Sequence, residues 1–242
     1  MLASLANAWK IPELRKKLVF TMAMIVIYRL GSHVPVPGVD IKAVQNFINQ
    51  GSAGVLGFLN LFSGGALTRF AVFALGIMPY ITASIILQLL TMAFPALKEL
   101  AREGEAGQQK ITQYTRYLTV GLALAQAIGY TILFRQQGAI PDLSPLNFYE
   151  IVITLTAGTT LLMFIGEMIS QRGIGNGISL LIFASIVSGL LPGIIRFRTR
   201  DIVPIIAFLA IGIVVIMGIV LVQEGQRRIP LQYAKRSEGL RL

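Results

Sequence analysis

Long stretches without a charged side chain constrain this chain more than any other feature of its sequence. The clearest covers residues 202–223, between Asp201 and Glu224, and fifteen of its residues are Leu, Ile, Val or Phe. At roughly 0.3–0.6 kcal/mol each, these side chains favour insertion into a bilayer by about 4–9 kcal/mol, whereas one central charge costs roughly 3 kcal/mol. The stretch therefore predicts a membrane-spanning helix.

Three further stretches have the same character, because each is apolar, uncharged and bounded by charged residues. A segment of this kind crosses a bilayer when it reaches about 20 residues, and a shorter one suffices if its ends lie near the headgroups. Helical spans are therefore predicted over residues 117–134, 151–166 and 173–195.

Two more spans with irregular ends bring the predicted total to six. Residues 70–97 contain Pro79 and Pro95, so we expect a kink near Pro79 and a helix end near Pro95. Residues 18–28 reach full length only if Arg29 snorkels and the helix continues to about residue 36. No small-residue cleavage site follows this first run, which is therefore expected to be a retained span and not a signal peptide.

The stretch between the first two spans, residues 43–68, is uncharged but interrupted by five glycines. Its apolar piece, residues 55–62, is too short to cross a bilayer. Backbone that does not span is tolerated at membrane depth only inside protein or beside a wet cavity, which favours a re-entrant half-helix. An ordinary extracytoplasmic loop is the alternative.

The net charge of +10 suggests membrane anchoring better than nucleic-acid binding, because Lys and Arg sit mainly at the ends of apolar runs. With six spans and the N-terminus inside, fourteen of the 21 Lys and Arg residues fall on the cytoplasmic side and seven outside. Cytoplasmic loops carry the excess of basic residues in membrane proteins. Both termini are therefore predicted to be cytoplasmic.

No catalytic, metal or cofactor site is predicted. The chain has no cysteine and a single histidine, His33, which excludes a multi-histidine metal site. The glycine-rich residues 173–177 lack the Lys-Ser/Thr of a phosphate loop and are expected to form a tight turn. Glu167 is the best candidate for an ion or proton site, but it lies at a span end beside Arg172, so a structural role is expected.

Isoleucines recur every four residues on two predicted helices: Ile77, Ile81 and Ile85 on one, and Ile182 and Ile186 on the other. Packing against lipid or core is the ordinary explanation. An apolar constriction is the functional one, since such a ring excludes water and ions by dewetting but makes no hydrogen bonds to a passing chain.

Polar side chains lie near the first isoleucine stripe and allow two interpretations. They are hydrogen-bonding contacts between helices, or they line a seam that can open. These residues are Thr82, Ser84, Gln88 and Thr91.

Four basic residues follow the last predicted span. They either contact anionic lipid headgroups or dock an acidic or RNA-containing partner. These residues are Arg227, Arg228, Lys235 and Arg236.

Five segments in collinear order resemble the SecY family, the central subunit of the bacterial protein-translocation channel. NLFSGGALTR resembles the plug of that family, and ALGIMPYITASII resembles its second span. QYTR precedes the third span, RGIGNGIS resembles the start of the fifth, and RRIP with QYAKR resembles the loop after the sixth. In order, these segments occupy residues 60–69, 74–86, 113–116, 172–179, and 227–230 with 232–236.

The resemblance implies an all-α membrane fold: six transmembrane helices and a re-entrant plug half-helix at about residues 55–69, forming a SecY-type half channel. It also implies roles for single residues. The pore ring would include Ile77, Ile81, Ile182 and Ile186. The plug would include Asn60, Phe62, Ser63, Gly64, Gly65 and Arg69. Thr82 and Gln88 would line the lateral gate, and Arg227 and Arg228 would dock the ribosome or the SecA motor.

The function that the resemblance implies is non-catalytic translocation of secretory polypeptides, and insertion of membrane proteins, through the bacterial inner membrane by the Sec pathway. The implied partners are the SecE and SecG subunits, the SecA ATPase, the ribosome through its rRNA, signal peptides, nascent polypeptides and membrane lipids. No cofactor is implied.

Residues 1–195 would be the N-terminal half of the channel with five spans, and residues 196–242 the sixth span and the start of the next loop. The family continues with further spans after the position of Arg236, whereas residues 237–242 do not resemble it, so a truncated chain is expected. Two alternatives stay open. A non-conducting binding or assembly protein is one, and a secondary transporter with a polar midplane site between broken helices is the other.

Overall fold

The computed structural model describes residues 11–50, 54–140, 144–197 and 202–225. Within these residues the fold is all-helical, and one isolated backbone bridge pairs Pro35 with Ala71. The helices are α1 (Pro12–Gly31), α2 (Ile41–Gln50), α3 (Val55–Phe62), α4 (Met78–Ala93), α5 (Pro95–Arg102), α6 (Glu105–Gln136), α7 (Pro145–Arg172), α8 (Gly177–Phe197) and α9 (Ile202–Glu224).

Two described helices, α6 and α7, are long and apolar enough to cross a membrane by themselves. A third crossing is possible if α4 and α5 count as one span, although they meet at a bend of 103°. Alone, α4 has 16 residues, a length of about 24 Å, which falls short of a hydrocarbon core of about 30 Å. The number of six spans therefore stays a prediction.

The chain divides into two compact units, Met1–Pro192 and Gly193–Leu242. The second unit contains α9, which runs from Ile202 to Glu224 where the sequence predicts residues 202–223. Large apolar side chains are exposed around this helix, as in Ile206, Leu209 and Val222. Exposed apolar side chains on every face suit a helix surrounded by lipid or by other protein.

The prediction of one helix over residues 70–97 is wrong at its start. Residues 70–77 are mainly turns, with positive φ angles at Phe70 (43°) and Gly76 (61°), and α4 begins only at Met78. Pro79 then occupies the first turn of α4, where its missing N–H leaves no hydrogen bond unmade, so it causes no kink. The predicted end near Pro95 is confirmed, since α4 stops at Ala93.

The first predicted span also ends earlier than expected. Helix α1 stops at Gly31, and the chain beyond it pairs with the turns before α4 through Val36 N–H to Phe70 O (2.9 Å) and Val72 N–H to Val34 O (2.9 Å). Arg29 does not extend the span by snorkelling. Its Nη1 donates to the Gly64 carbonyl at 2.8 Å, so its charge is held against another part of the protein.

Two buried clusters form the core of the first unit. The phenylalanine cluster contains Phe70 and Phe134, whose rings meet edge to face with centroids 5.1 Å apart. The tyrosine cluster surrounds Tyr28 and draws on α1, α7, α8 and the turns before α4. Its buried members are Tyr28, Ala66, Ala71, Phe73, Ile77, Leu162, Ile165, Ile169 and Leu181.

Close backbone packing joins α7 to the turns before α4. A Cβ at Gly158 would lie 2.0 Å from the Val72 carbonyl oxygen, which belongs to the backbone and cannot rotate away. We therefore expect Gly158→Ala to destabilise the protein in detergent by about 1–3 kcal/mol, the usual effect of overpacking. Thermal unfolding measures the change.

Gly129→Ala on α6 is the matched control, because no atom of the described residues lies within 4 Å of a Cβ there. Alanine favours a helix over glycine, so this variant should be neutral or slightly more stable. Equal stability of both variants would contradict the close approach at Gly158.

Candidate functional site

The last turn of α3 and the turns that follow it form a compact segment, which we call the turn segment and define as residues 59–69. Gly64 and Gly65 have φ angles of 64° and 83°, which glycine adopts without strain. Side chains of the segment then satisfy its own backbone. Asn60 Oδ1 accepts from Thr68 N–H at 3.0 Å, and Ser63 Oγ donates to the Asn60 carbonyl at 3.0 Å while accepting from Leu67 N–H at 3.2 Å.

Helix α1 holds the turn segment through two backbone carbonyls. The Tyr28 hydroxyl donates to the Ser63 carbonyl at 3.2 Å, and Arg29 Nη1 donates to the Gly64 carbonyl at 2.8 Å. Tyr28 and Ser63 are each only 2% exposed. Buried carbonyls need hydrogen-bond partners, and these two find them on adjacent residues of one helix.

Helix α8 joins the same contact through Ser185. Its Oγ lies 2.5 Å from Tyr28 Oη, and the hydroxyl is also within 2.8 Å of the Leu181 carbonyl one turn earlier. The backbone of Gly64 fills the remaining space, since a Cβ there would lie 3.0 Å from Tyr28 Oη and 3.3 Å from Ser185 Cα. Three elements therefore meet at one hydroxyl pair.

Three of the four predicted pore-ring isoleucines come together in the tyrosine cluster. Ile77 is 4% exposed at the start of α4, and Ile81 and Ile182 pack against the buried members of the cluster. Ile186 lies one turn further along α8 and is half-buried. Ile85, the third isoleucine of the stripe on α4, is 51% exposed and is therefore not buried with the other two.

The remaining predicted plug residues lie at both ends of the turn segment. Phe62 is half-buried, and its ring centroid is 4.7 Å from that of Phe58. Arg69 is half-buried as well. Its Nη1 is buried and has no hydrogen-bond partner among the described residues.

The two predicted gate residues occupy different surroundings on α4. Thr82 is half-buried and donates to the Met78 carbonyl of its own helix at 3.0 Å. Gln88 is exposed and lines a groove between α4, α5 and α6 together with Ser84 and Thr91. Six residues correspond to about 600° of helix rotation, so Thr82 and Gln88 point about 120° apart.

A partly buried ion pair that the sequence analysis did not identify joins α6 to α7. Arg116 contacts Glu167 with two parallel bonds, Nε to Oε1 at 2.9 Å and Nη2 to Oε2 at 2.7 Å. The partner of Glu167 is thus Arg116 and not the sequence neighbour Arg172. The sequence carried one signal for this pair: Arg116 lies directly before one predicted span and Glu167 directly after another. Both are therefore expected near the same surface of the membrane.

The glycine-rich residues 173–177 form the predicted turn between α7 and α8. Gly175 has a φ of 66°, and Ser170 Oγ accepts from Gly177 N–H at 2.9 Å. Thr21 Oγ1 of α1 accepts from Ile174 N–H at 3.2 Å.

Arg227 and Arg228, the predicted docking residues, lie outside the described residues.

Long apolar helices around two buried clusters define the described part of the chain as an all-helical membrane protein. The SecY family matches residues 71–241, which is more than half of the chain. The match extends to residue 241, so the expectation that residues 237–242 do not resemble the family is wrong for residues 237–241. The chain therefore belongs to the SecY family.

Individual relatives agree with this assignment over the whole chain. It is 48% identical to the protein translocase subunit SecY of Streptomyces scabiei, covering 100% of this chain and 59% of the relative. It is 45% identical to that of Mycobacterium tuberculosis H37Rv, covering 100% of this chain and 58% of the relative. The chain thus spans about three-fifths of the length of these curated relatives.

Solved structures support the fold. Sec61 in the canine ribosome-channel complex from the endoplasmic reticulum matches with a TM-score of 0.60 at 22% identity, covering 90% of this chain and 49% of that one. The structure of a protein conducting channel matches with a TM-score of 0.51 at 23% identity, covering 71% and 36%. These similarities show a SecY/Sec61-type fold.

The ion pair generates a stability prediction. Arg116→Leu leaves the Glu167 charge buried and unpaired, so we expect a loss of about 2–4 kcal/mol, somewhat below the usual range for a buried pair because Arg116 is partly exposed. Adding Glu167→Gln removes that charge and should recover part of the loss. Thermal unfolding of the two single variants and the double variant in detergent gives the coupling.

Glu103→Gln is the control, since Glu103 and Lys110 form an exposed pair with a 3.8 Å separation. An exposed pair contributes at most about 1 kcal/mol. Additive losses in the double variant would show that Arg116 and Glu167 do not stabilise each other.

Proposed function

We propose that this chain is a subunit of the protein-conducting channel of the Sec pathway, and that it contributes the N-terminal part of the pore. One observation carries the proposal. Ala66 of the turn segment is fully buried in the same cluster as Ile77 and Leu181. A plug must seat on the pore ring that it closes, and the burial of residues from both in one cluster supports that arrangement.

The isoleucines would act as a seal by exclusion. Ile77, Ile81 and Ile182 present only hydrocarbon, so water between them gains no hydrogen bonds and the constriction dewets. The same absence of hydrogen bonds lets an extended polypeptide slide through. Ile186 would extend this surface by one turn of α8.

Opening would follow from binding and not from catalysis. A signal peptide that intercalates only in the open state shifts the population towards that state. The turn segment then leaves the tyrosine cluster, and the nascent polypeptide takes its place. Gln88 and the neighbouring polar groove would belong to the seam through which apolar segments reach lipid, with Thr82 on an adjacent face of α4.

The energy for transport would come from partners, because no nucleotide-binding motif occurs in the sequence. SecA or the ribosome would dock at Arg227 and Arg228, and SecE and SecG would complete the membrane complex. A relative of this fold has been solved in a ribosome-channel complex. We place the chain in the bacterial inner membrane with both termini in the cytoplasm, following the distribution of basic residues.

Ion leak tests the proposal. Ile81→Gly with Ile182→Gly, in the assembled channel in vesicles, should open a wettable gap and raise the resting ion conductance severalfold, because each change removes apolar surface from the seal. Planar-bilayer recording or an ion-flux dye measures it.

Ile85→Gly is the matched control, because it makes the same change on α4 at a side chain that is 51% exposed. Its conductance should equal that of the unchanged channel. If the double variant, the control and the unchanged channel all had the same resting conductance, these isoleucines would not form the seal. The proposed function would then be rejected as well.

A further inference from the structure

The hydroxyl pair of Tyr28 and Ser185 has fewer protons than acceptor contacts. Each hydroxyl carries one proton and can also accept. Three contacts compete for the two protons: Tyr28 Oη to the Ser63 carbonyl at 3.2 Å, Tyr28 Oη to Ser185 Oγ at 2.5 Å, and Ser185 Oγ to the Leu181 carbonyl at 2.8 Å. At any moment at most two of these contacts are hydrogen bonds.

Two other hydroxyls near this pair already donate their protons elsewhere. Ser32 Oγ donates to the Tyr28 carbonyl at 2.9 Å, and Ser188 Oγ donates to the Ser185 carbonyl at 2.7 Å. The choice of bonding pattern therefore rests with the protons of Tyr28 and Ser185.

The two patterns differ in whether the turn segment takes part. In one, Tyr28 donates to the Ser63 carbonyl and Ser185 donates either to Tyr28 or to the Leu181 carbonyl. In the other, Tyr28 donates to Ser185 and Ser185 donates to the Leu181 carbonyl. The second pattern satisfies both buried hydroxyls without any group from the turn segment.

We propose that Tyr28 and Ser185 form a hydroxyl relay that holds the turn segment in place and re-pairs with itself when that segment leaves. Tyr28 holds the docked state, because it satisfies the Ser63 carbonyl. Ser185 stabilises the released state, because it accepts the Tyr28 proton that would otherwise lack a partner in a buried site. The inference rests on the proposed plug role of the turn segment.

Arg29 plays a different part in the same contact. Its guanidinium donates to the Gly64 carbonyl but accepts nothing, and the side chain is only half-buried. Water can replace the carbonyl when the turn segment leaves. Arg29 therefore needs no internal partner in the released state, whereas the buried Tyr28 hydroxyl does.

The relay predicts opposite effects for two conservative substitutions. Tyr28→Phe removes the bond that holds the docked turn segment and should favour release. Ser185→Ala leaves that bond intact but removes the acceptor that Tyr28 uses after release, and should disfavour release. A merely structural role for both residues would make both variants looser.

A single introduced cysteine can report release, because the chain has no cysteine of its own. Ala66→Cys is suitable, since Ala66 is fully buried within the turn segment. In the assembled channel in vesicles or detergent, the rate of its reaction with a water-soluble maleimide follows the released population. Each relay variant is made in this background.

We expect Tyr28→Phe to speed labelling about threefold to tenfold and Ser185→Ala to slow it about twofold to fivefold, the size of one net hydrogen bond. The double variant should label like Tyr28→Phe alone, because Ser185 acts only through the Tyr28 hydroxyl. Tyr130→Phe, which removes a hydroxyl from α6, should leave the rate unchanged.

Labelling that speeds up in both single variants, or that changes in neither, would overturn the relay. Slower labelling in Ser185→Ala cannot arise from unfolding, so a folding defect in Tyr28→Phe does not obscure the test. Polypeptide transport is measured separately. The predicted labelling pattern in a channel that transports nothing would uphold the relay and reject the proposed function. Normal transport without that pattern would uphold the proposed function and reject the relay.

Discussion

Hydrogen bonding of buried backbone between α3 and α4 is the constraint on which the described structure depends. Helices satisfy their own carbonyls, but the turns from Ser63 to Ile77 cannot do so completely. Lipid offers no partners, so irregular backbone at membrane depth must find them within the protein. The Ser63 and Gly64 carbonyls find theirs in Tyr28 and Arg29, on consecutive residues of α1.

Fixing this turn places the apolar residues around it. Ala66, Ala71 and Ile77 come from the turns that follow Gly64, and all three are buried members of the tyrosine cluster. Glycines let the surrounding segments pack closely against these turns. A Cβ at Gly31 would collide with the Phe73 ring, and a Cβ at Gly158 would collide with the Val72 carbonyl. Polar anchoring and close apolar packing thus support the same contact surface.

Uncharged apolar runs and the positions of glycines predicted much of this architecture, because both follow from the local sequence. The short helix over residues 55–62, the helix from residue 202 and the turn at Gly173–177 all follow from local pattern and agree with the structure. The late start of α4 was missed, because an uncharged run resembles a span even where its residues form turns packed inside protein.

The candidate site was predicted less completely than the helices, for a physical reason. Isoleucine spacing placed Ile77 and Ile81 on one helix face, and only the resemblance to the SecY family joined Ile182 to them. Hydrogen-bond partners distant in the chain leave no periodic signal. Tyr28 and Ser185 are 157 residues apart, and Arg116 lies 51 residues from Glu167. The available signal for the contacts of Tyr28 and Arg29 with the turn segment was a tyrosine beside an arginine at the end of an apolar run.

The central claim is that residues 59–69 seat against α8 and must move for a polypeptide to pass. Leu61→Cys with Gly189→Cys tests it directly, because a Cβ at position 189 would lie 3.0 Å from Leu61 Cδ1 and no other cysteine is present. Joining the two thiols with a short bifunctional maleimide in the assembled channel should stop transport of a secretory polypeptide, while each single cysteine treated in the same way should transport normally. Undiminished transport through the fully cross-linked channel would contradict the account.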